Sequence, residues 1–285
     1  MRAAVAVAEQ HGLRFSKPVV LRDLSNLLVQ LAPAPVVARV AAATSLMRAG
    51  DAWLGREVAV ASHLAALGAP VVAPSADPAP GPHHHDGLVL TFWDLAEELP
   101  GPVDAAAAGH GLRVCHDALA DFPGDLPEHA ALVEARSVVE RLTASGAVGA
   151  DDAAMLRRAG QRVADRLDAL ALPVQAVHGD AHLGNVISTA NGPLWNDWED
   201  TFRGPVAWDL ACLHASARVF GRDEAPVAEA QAAYGPGVDP EVLDVLVEAR
   251  AFQATVWTLV ISASRPGRAE RVAARLDWLR VRDRA

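Results

Sequence analysis

Three short apolar runs, VVLRDL from Val19, NLLVQLA from Asn26 and VVARVA from Val36, follow one another with only a few residues between them. The spacers, Asp23-Leu24-Ser25 and Ala32-Pro33-Ala34-Pro35, have turn chemistry. A parallel pair needs a crossover of a dozen or more residues, so strands this closely spaced must pair antiparallel. The chain therefore starts as a small antiparallel sheet. A helix follows in REVAVASHLAALG, residues 56–68, with Val58, Ala61, Leu64 and Ala65 on one face and Gly68 placed as a C-terminal stop. A Pro- and His-rich loop, residues 70–87, leads to a further apolar strand, LVLTFW, and His83-His84-His85 inside that loop reads as solvated surface.

Beyond Glu97-Glu98-Leu99-Pro100-Gly101-Pro102 the period changes to that of a helix. Residues 112–120, 130–144, 152–170 and the chain from Pro240 all read as helical. In the third of these, Met155, Ala159, Val163 and Leu167 recur every four residues behind the capping candidates Asp151 and Asp152. The expectation is an α+β chain: an N-terminal lobe over residues 1–93 built on a small antiparallel sheet with one helix, a larger, mainly helical C-terminal lobe over 94–285, and a hinge at about 93–102. With 285 residues and 51% hydrophobic content the chain can bury cores of this size. A ligand is expected in the cleft between two such lobes.

The formal net charge of -10 argues against a nucleic-acid or anionic-membrane partner and leaves room for a cationic ligand. Cys115 and Cys212 lie far apart, and the N-terminus, MRAAVAVAEQHGLRF, lacks the apolar run and small-residue cleavage site of a signal peptide, so the expected location is cytoplasmic. AFQATVWTLVISA, residues 251–263, contains Gln253 and is shorter than the roughly 20 residues that span a bilayer, so it reads as a buried helix. Lys17 is the only lysine in the chain.

Polar groups concentrate in AVHGDAHLGNVIS, residues 176–188. The stretch reads as a polar turn, as a zinc site using His178, Asp180 and His182, or as a catalytic loop needing one carboxylate and one amide at fixed separation. It continues as VISTANGPLWNDWED, in which Asn191-Gly192 signals a type I′ hairpin turn. That turn pairs Asn185 with Trp198 and Val186 with Asp197, which makes Asn185 and Asp197 diagonal neighbours at the open end of the hairpin. An amide oxygen and a carboxylate suit Mg²⁺, which takes one or two protein ligands and the rest from phosphates and water. Asp180, five residues before Asn185, is placed to orient a hydroxyl. These are the parts of a phosphoryl-transfer site.

HGDAHLGN at His178, NDWE at Asn196 and WDLA at Trp208 resemble the aminoglycoside phosphotransferase family of the protein-kinase-like fold, which includes choline and homoserine kinases. REVAV at Arg56, the LVLTFW strand and, more loosely, LRVCH ending at His116 extend the resemblance over nearly the whole chain. It implies Asp180 as the catalytic aspartate, Asn185 and Asp197 as Mg²⁺ ligands, and His178 and Asp209 as supports of the catalytic loop, with His182 touching phosphate or capping that loop. Backbone groups of Phe92, Trp93 and Asp94 would bind adenine. Glu57 would pair with the strand cation that grips the ATP phosphates. Glu199 and Asp200, with carboxylates of the last helices, would hold an ammonium group of the substrate. The implied activity is Mg²⁺-dependent transfer of the γ-phosphate of ATP or GTP to a hydroxyl of a small acceptor, with or without an amino group, such as an aminoglycoside-like antibiotic or an amino alcohol or sugar metabolite. Neither nucleic acid nor membrane is an expected partner.

Three positions depart from the family pattern. The family's strand lysine is replaced by Arg39, which by itself also reads as a surface cation. The loop RDLSNLL has no glycine, leaving Ser25 and Asn26 to face the phosphates, and Asn196 stands where an apolar residue is usual. Arg39 and the glycine-free loop motivate a competing reading as a non-catalytic nucleotide-binding pseudokinase, against which the full set of Asp180, Asn185 and Asp197 speaks. The tryptophans Trp195, Trp198 and Trp208 read as core.

Overall fold

The computed structural model of the protein describes residues 1–23, 26–41, 48, 51–264 and 269–284. Two compact units divide the chain: residues 1–124 with 184–201, and residues 125–183 with 202–285.

The first unit runs through α1 (Arg2–Gln10), β1 (Lys17–Asp23), β2 (Asn26–Ala32), β3 (Val36–Ala41), α2 (Ala52–Ala66), β4 (His83–His85), β5 (Leu88–Asp94) and α3 (Ala105–Leu119). Its sheet has the order β1-β2-β3-β5-β4 with every pairing antiparallel, as the short spacers require. Helix α1, which the sequence reading missed, sets Ala3, Ala4, Val7 and Ala8 against Val29, Leu31, Val40 and Phe92 of the sheet. All six residues of β3 are buried, so Arg39 is a core cation, 6% exposed, rather than a surface one. The His83-His84-His85 stretch is a strand and not a loop: its backbone pairs with Leu88, Val89 and Leu90, while His84 Nε2 lies 2.8 Å from Asp51 Oδ2 at an exposed edge. Helix α2 begins before the expected Arg56 because Trp53 and Leu54 bury there. It stops at Gly68, whose φ of +73° lets the N–H groups of Gly68 and Ala69 bond the carbonyls of Ala65 and Leu64, both at 3.0 Å.

The chain then enters the second unit with α4 (Ala130–Ala144), α5 (Ala150–Leu170) and β6 (Gln175–Val177). It returns to the first unit for the hairpin β7 (Val186–Thr189) and β8 (Gly192–Trp195). Trp195 explains why the hairpin and α3 stay with the sheet instead of following a boundary at residue 93. It is fully buried, its Nε1 donates to Ala108 O at 3.0 Å, and its backbone bonds Pro70 O and Val72 N. The second unit closes with β9 (Phe202–Gly204), antiparallel to β6, then α6 (Ala207–Arg218), α7 (Glu224–Tyr234), α8 (Pro240–Ser264) and α9 (Ala269–Asp283). Helix α8 is its spine, packing on α4, α5, α6 and α9. At 25 residues it is longer than its apolar stretch implied, and by length and composition it contains a span able to cross a bilayer. Yet 78% of that window is buried within the protein, which is the behaviour of a core helix.

Candidate active site

Two clusters carry the residues singled out above, one in each unit. In the first, β3 presents Arg39 to three carboxylates. Its Nη1 donates to Glu57 of α2, and its Nη2 donates to Asp197 Oδ1 at 2.8 Å and Glu199 Oε2 at 2.5 Å. The Asn26 amide, turned so that its oxygen faces the guanidinium, accepts from Arg39 Nη2 at 2.7 Å and Nε at 3.2 Å. Burial grades the acids: Glu57 is 1% exposed and Glu199 9%, whereas the Asp197 side chain is 37% exposed. Burial pushes the Glu57 carboxyl up to about 7 against the pull of Arg39, and pushes that of Glu199 up to about 8. Burial also works against the charge on Arg39, but the carboxylates outweigh it and hold the guanidinium above its ordinary value.

Asp197 reaches this cluster, with Asn185 opposite the residue before it, by a register that differs from the expected one. Val186 pairs with Trp195 and Thr189 with Gly192, a shift of two positions, so the turn residues are Ala190 and Asn191. A type I′ turn over Asn191-Gly192 needs positive φ at both, and Asn191 lacks it while Gly192 has +106°. The Thr189 hydroxyl takes over: it accepts from Asn191 N at 3.2 Å and donates to Gly192 O at 2.7 Å. Asn185 thereby faces Asn196, whose backbone N–H and side-chain Nδ2 both donate to Asn185 O, at 3.0 and 2.9 Å. That is the role of Asn196, for which the sequence offered none. Asp197 follows directly, in the left-handed conformation at φ 67° that opens the 3₁₀ turn Trp198–Asp200. Trp198 is buried beneath that turn, and Thr201 Oγ1 donates to Trp198 O at 2.8 Å.

The oxygens of Asn185 and Asp197 are hard donors suited to Mg²⁺, and Asp197 is the most exposed of the three acids around Arg39, the one open to a cation. Among the described residues no group of three or more His, Cys, Asp or Glu side chains is arranged to hold a metal alone, so the remaining ligands would be phosphate and water.

In the second unit, β6 delivers the chain to His178, Gly179 and Asp180. Asp209, fully buried on α6, accepts from the backbone N–H of His178 at 2.7 Å and of Gly179 at 2.9 Å. Trp208 Nε1 donates to Gly179 O at 2.9 Å, and Gly179 takes a φ of +85°. The Asp180 N–H donates to His178 Nδ1 at 3.3 Å. The loop is thus fixed by backbone bonds while the Asp180 side chain stays 23% exposed. One partner of that side chain went unseen in the sequence: Arg250 of α8, 7% exposed, donates from Nη2 to Asp180 Oδ1 and from Nη1 to Gln253 Oε1. His182 Nε2 lies 3.7 Å from the same Asp180 oxygen. Cys212 Sγ sits 3.7 Å from Gly179 O, and burial raises its pKa well above the usual thiol value, leaving it a neutral packing group.

The other expected residues divide. Ser25 lies outside the described residues. Phe92 N–H bonds Pro80 O at 2.9 Å, Phe92 O accepts from Ser75 N at 3.0 Å, and Asp94 N–H bonds Ala73 O at 3.0 Å, so these backbone groups already have protein partners. Trp93 Nε1 donates to Thr91 Oγ1 at 2.8 Å, and burial raises the Asp94 carboxyl. Glu199 and Asp200, expected to hold an ammonium group, are instead engaged by Arg39 and by Arg48, the latter at 2.5 Å with its guanidinium 5.8 Å from the Trp53 ring centre.

A sequence profile described as the phosphotransferase enzyme family matches residues 14–246. No curated protein matches the chain. Among solved structures, a choline/ethanolamine kinase family protein from Mesorhizobium loti is 18% identical with a TM-score of 0.69, over 99% of this chain and 92% of that one. An amicoumacin kinase solved with AMP-PNP, Ca²⁺ and its antibiotic is 13% identical with a TM-score of 0.75, over 98% and 93%. The choline kinase LicA from Streptococcus pneumoniae is 13% identical with a TM-score of 0.71, over 99% of both chains.

Proposed function

The chain belongs to the phosphotransferase enzyme family and is a small-molecule kinase, and we propose that it transfers the γ-phosphate of ATP or GTP, with Mg²⁺, to a hydroxyl of a small acceptor. The observation that carries this reading is the buried guanidinium of Arg39 bridging Glu57 and Asp197, with Asn185 held next to that aspartate by Asn196. When bound, the nucleotide supplies the phosphoryl group and Mg²⁺ neutralises its charge. Asn185 and Asp197 hold the metal, and Arg39, kept charged and oriented by Glu57, faces the phosphates, with Ser25 and Asn26 beside them. Phe92, Trp93 and Asp94 line the base site. Asp180 orients the acceptor hydroxyl on a loop whose backbone is fixed by Asp209 and His178, with His182 at its edge. In this reading the first unit, residues 1–93 extended by 94–124 and 184–201, is the nucleotide-binding lobe and the second unit the acceptor lobe, in a cytoplasmic enzyme.

One observation favours the pseudokinase alternative: a phosphate must compete for Arg39 with three carboxylates and the Asn26 amide. Thermal unfolding with ATP and with GTP, each with and without Mg²⁺, separates the readings, because a ligand that binds the folded state raises the midpoint by mass action. The expected result is stabilisation that needs Mg²⁺ and fades in Asp197→Asn. Stabilisation indifferent to Mg²⁺ and to Asp197→Asn would favour the scaffold, and none with either nucleotide would sink the reading.

A further inference from the structure

The distribution of buried charge bears on the acceptor. Among the described residues the buried carboxylates are Glu57, Glu199, Asp209 and Glu248. Arg39 faces the first two, the backbone N–H groups of His178 and Gly179 take Asp209, and Arg162 and Arg166 take Glu248 at 2.7 and 3.3 Å. On the last helices Asp244 pairs with Arg282, Asp277 with Arg280, and Asp283 with Arg158 and Arg162. An ammonium group loses its hydration on binding and needs a desolvated carboxylate in return. The four buried carboxylates already have such partners.

At Asp180 the balance runs the other way. The side chain beside the carboxylate is a buried, permanently charged guanidinium, itself steadied by the buried Gln253 on the same helix. Arg250 cannot shed its proton to accommodate a second cation, and burial weakens the screening between them. A hydroxyl directed at Asp180 therefore approaches a pair of zero net charge with a fixed positive end.

We propose that Arg250 is a positioning and selectivity residue, holding the Asp180 carboxylate in its hydroxyl-orienting place and setting the acceptor as one without a cationic group beside the reacting hydroxyl, either neutral or carboxylate-bearing. This rests on the phosphotransferase reading above. Of the acceptors with and without an amino group, it selects the latter for the same site.

Phosphate transfer from Mg²⁺-ATP is measured for three kinds of probe, choline and ethanolamine, glycerol and glucose, and glycerate, on the parent, Arg250→Gln and Arg250→Lys. The parent is expected to favour the neutral or anionic probes over the cationic ones by at least about tenfold in kcat/KM, the discrimination that about 1.4 kcal/mol provides. Arg250→Gln should narrow that ratio by about tenfold, through KM for the charged probes, and Arg250→Lys should preserve it. Parent preference for choline or ethanolamine, or a loss in Arg250→Gln that is proportional across all probes, overturns the inference. So does failure of every probe in a parent that ATP stabilises in a Mg²⁺-dependent way. Absence of that stabilisation overturns the transfer reading itself, and this inference with it. If Arg250→Gln does not fold, the parent's order of preference and its retention in Arg250→Lys decide.

Discussion

Replacing Arg39 by methionine removes the cation shared by Glu57, Asp197 and Glu199 while keeping an unbranched side chain in β3. Breaking a buried ion pair from one side costs about 3–5 kcal/mol, because the remaining charge is left without compensation. The cost should depend on pH, and Glu57 sets the sign. Its carboxyl stands at about 7 in the folded chain against an ordinary 4.5, so the folded state holds more protons between those values. Stability contributed by this group is complete below about pH 4.5 and is lost as pH rises through about 7. Arg39 lowers that carboxyl, so its removal pushes the value higher and steepens the loss. Urea unfolding followed by tryptophan fluorescence, in metal-free buffer at about pH 5 and about pH 8.5, measures both effects. Arg39→Met should fall short of the parent by about 3–5 kcal/mol at the higher pH and by clearly less at the lower. Arg39→Lys, which keeps the charge without the planar fork, should lie between the two. A deficit under about 1 kcal/mol at both pH values is what solvated surface pairs give, and would refute the buried cluster. A deficit larger at low pH would refute the assigned direction.

Asp209→Asn turns one of two acceptors for the His178 and Gly179 N–H groups into a donor, and should cost about 1–3 kcal/mol in thermal unfolding together with a drop in turnover. Equal stability of mutant and parent would mean the loop does not depend on this carboxylate. Asn196→Leu removes the side-chain bond to Asn185 O but not the backbone one, so about 0.5–1.5 kcal/mol should be lost and the Mg²⁺ concentration needed for nucleotide binding should rise. An unchanged Mg²⁺ requirement would confine Asn196 to a structural part. Asp180→Ala should abolish transfer while ATP still raises the melting midpoint, and residual transfer at the parental rate would remove Asp180 from its assigned role.

The sheet was legible because spacers of three or four residues allow only one kind of pairing, and the helices α4 and α5 because large apolar side chains mark their faces. The first half of α3 and all of α1 were not read, since their buried residues are almost all alanine and glycine, small side chains that mark a core face less plainly than leucine or valine. Helix α6 hides for the opposite reason: Trp208 through Leu213 are all buried, so there is no stripe to detect. The hairpin register failed on a local competition, in which a threonine hydroxyl holding the turn at Ala190 and Asn191 prevailed over the Asn-Gly preference.

The residues proposed to carry the chemistry lie close together in sequence, from His178 to Asn185 and from Asn196 to Glu199, so the clustering drew attention to them and the family resemblance gave them roles. The groups that neutralise them lie elsewhere: Arg39 is 158 positions from Asp197, and Arg250 is 70 from Asp180. No period or spacing ties such partners together; the packing of α8 and the burial of β3 do. A carboxylate seen in sequence looks available to a ligand until its partner is known, and net charge adds up all such acids as though they were free. In this chain nearly every basic residue is arginine, which stays protonated when buried and so binds the acids it meets without titrating away. The overall acidity therefore says little about the acceptor, and the buried cations Arg39 and Arg250 say more.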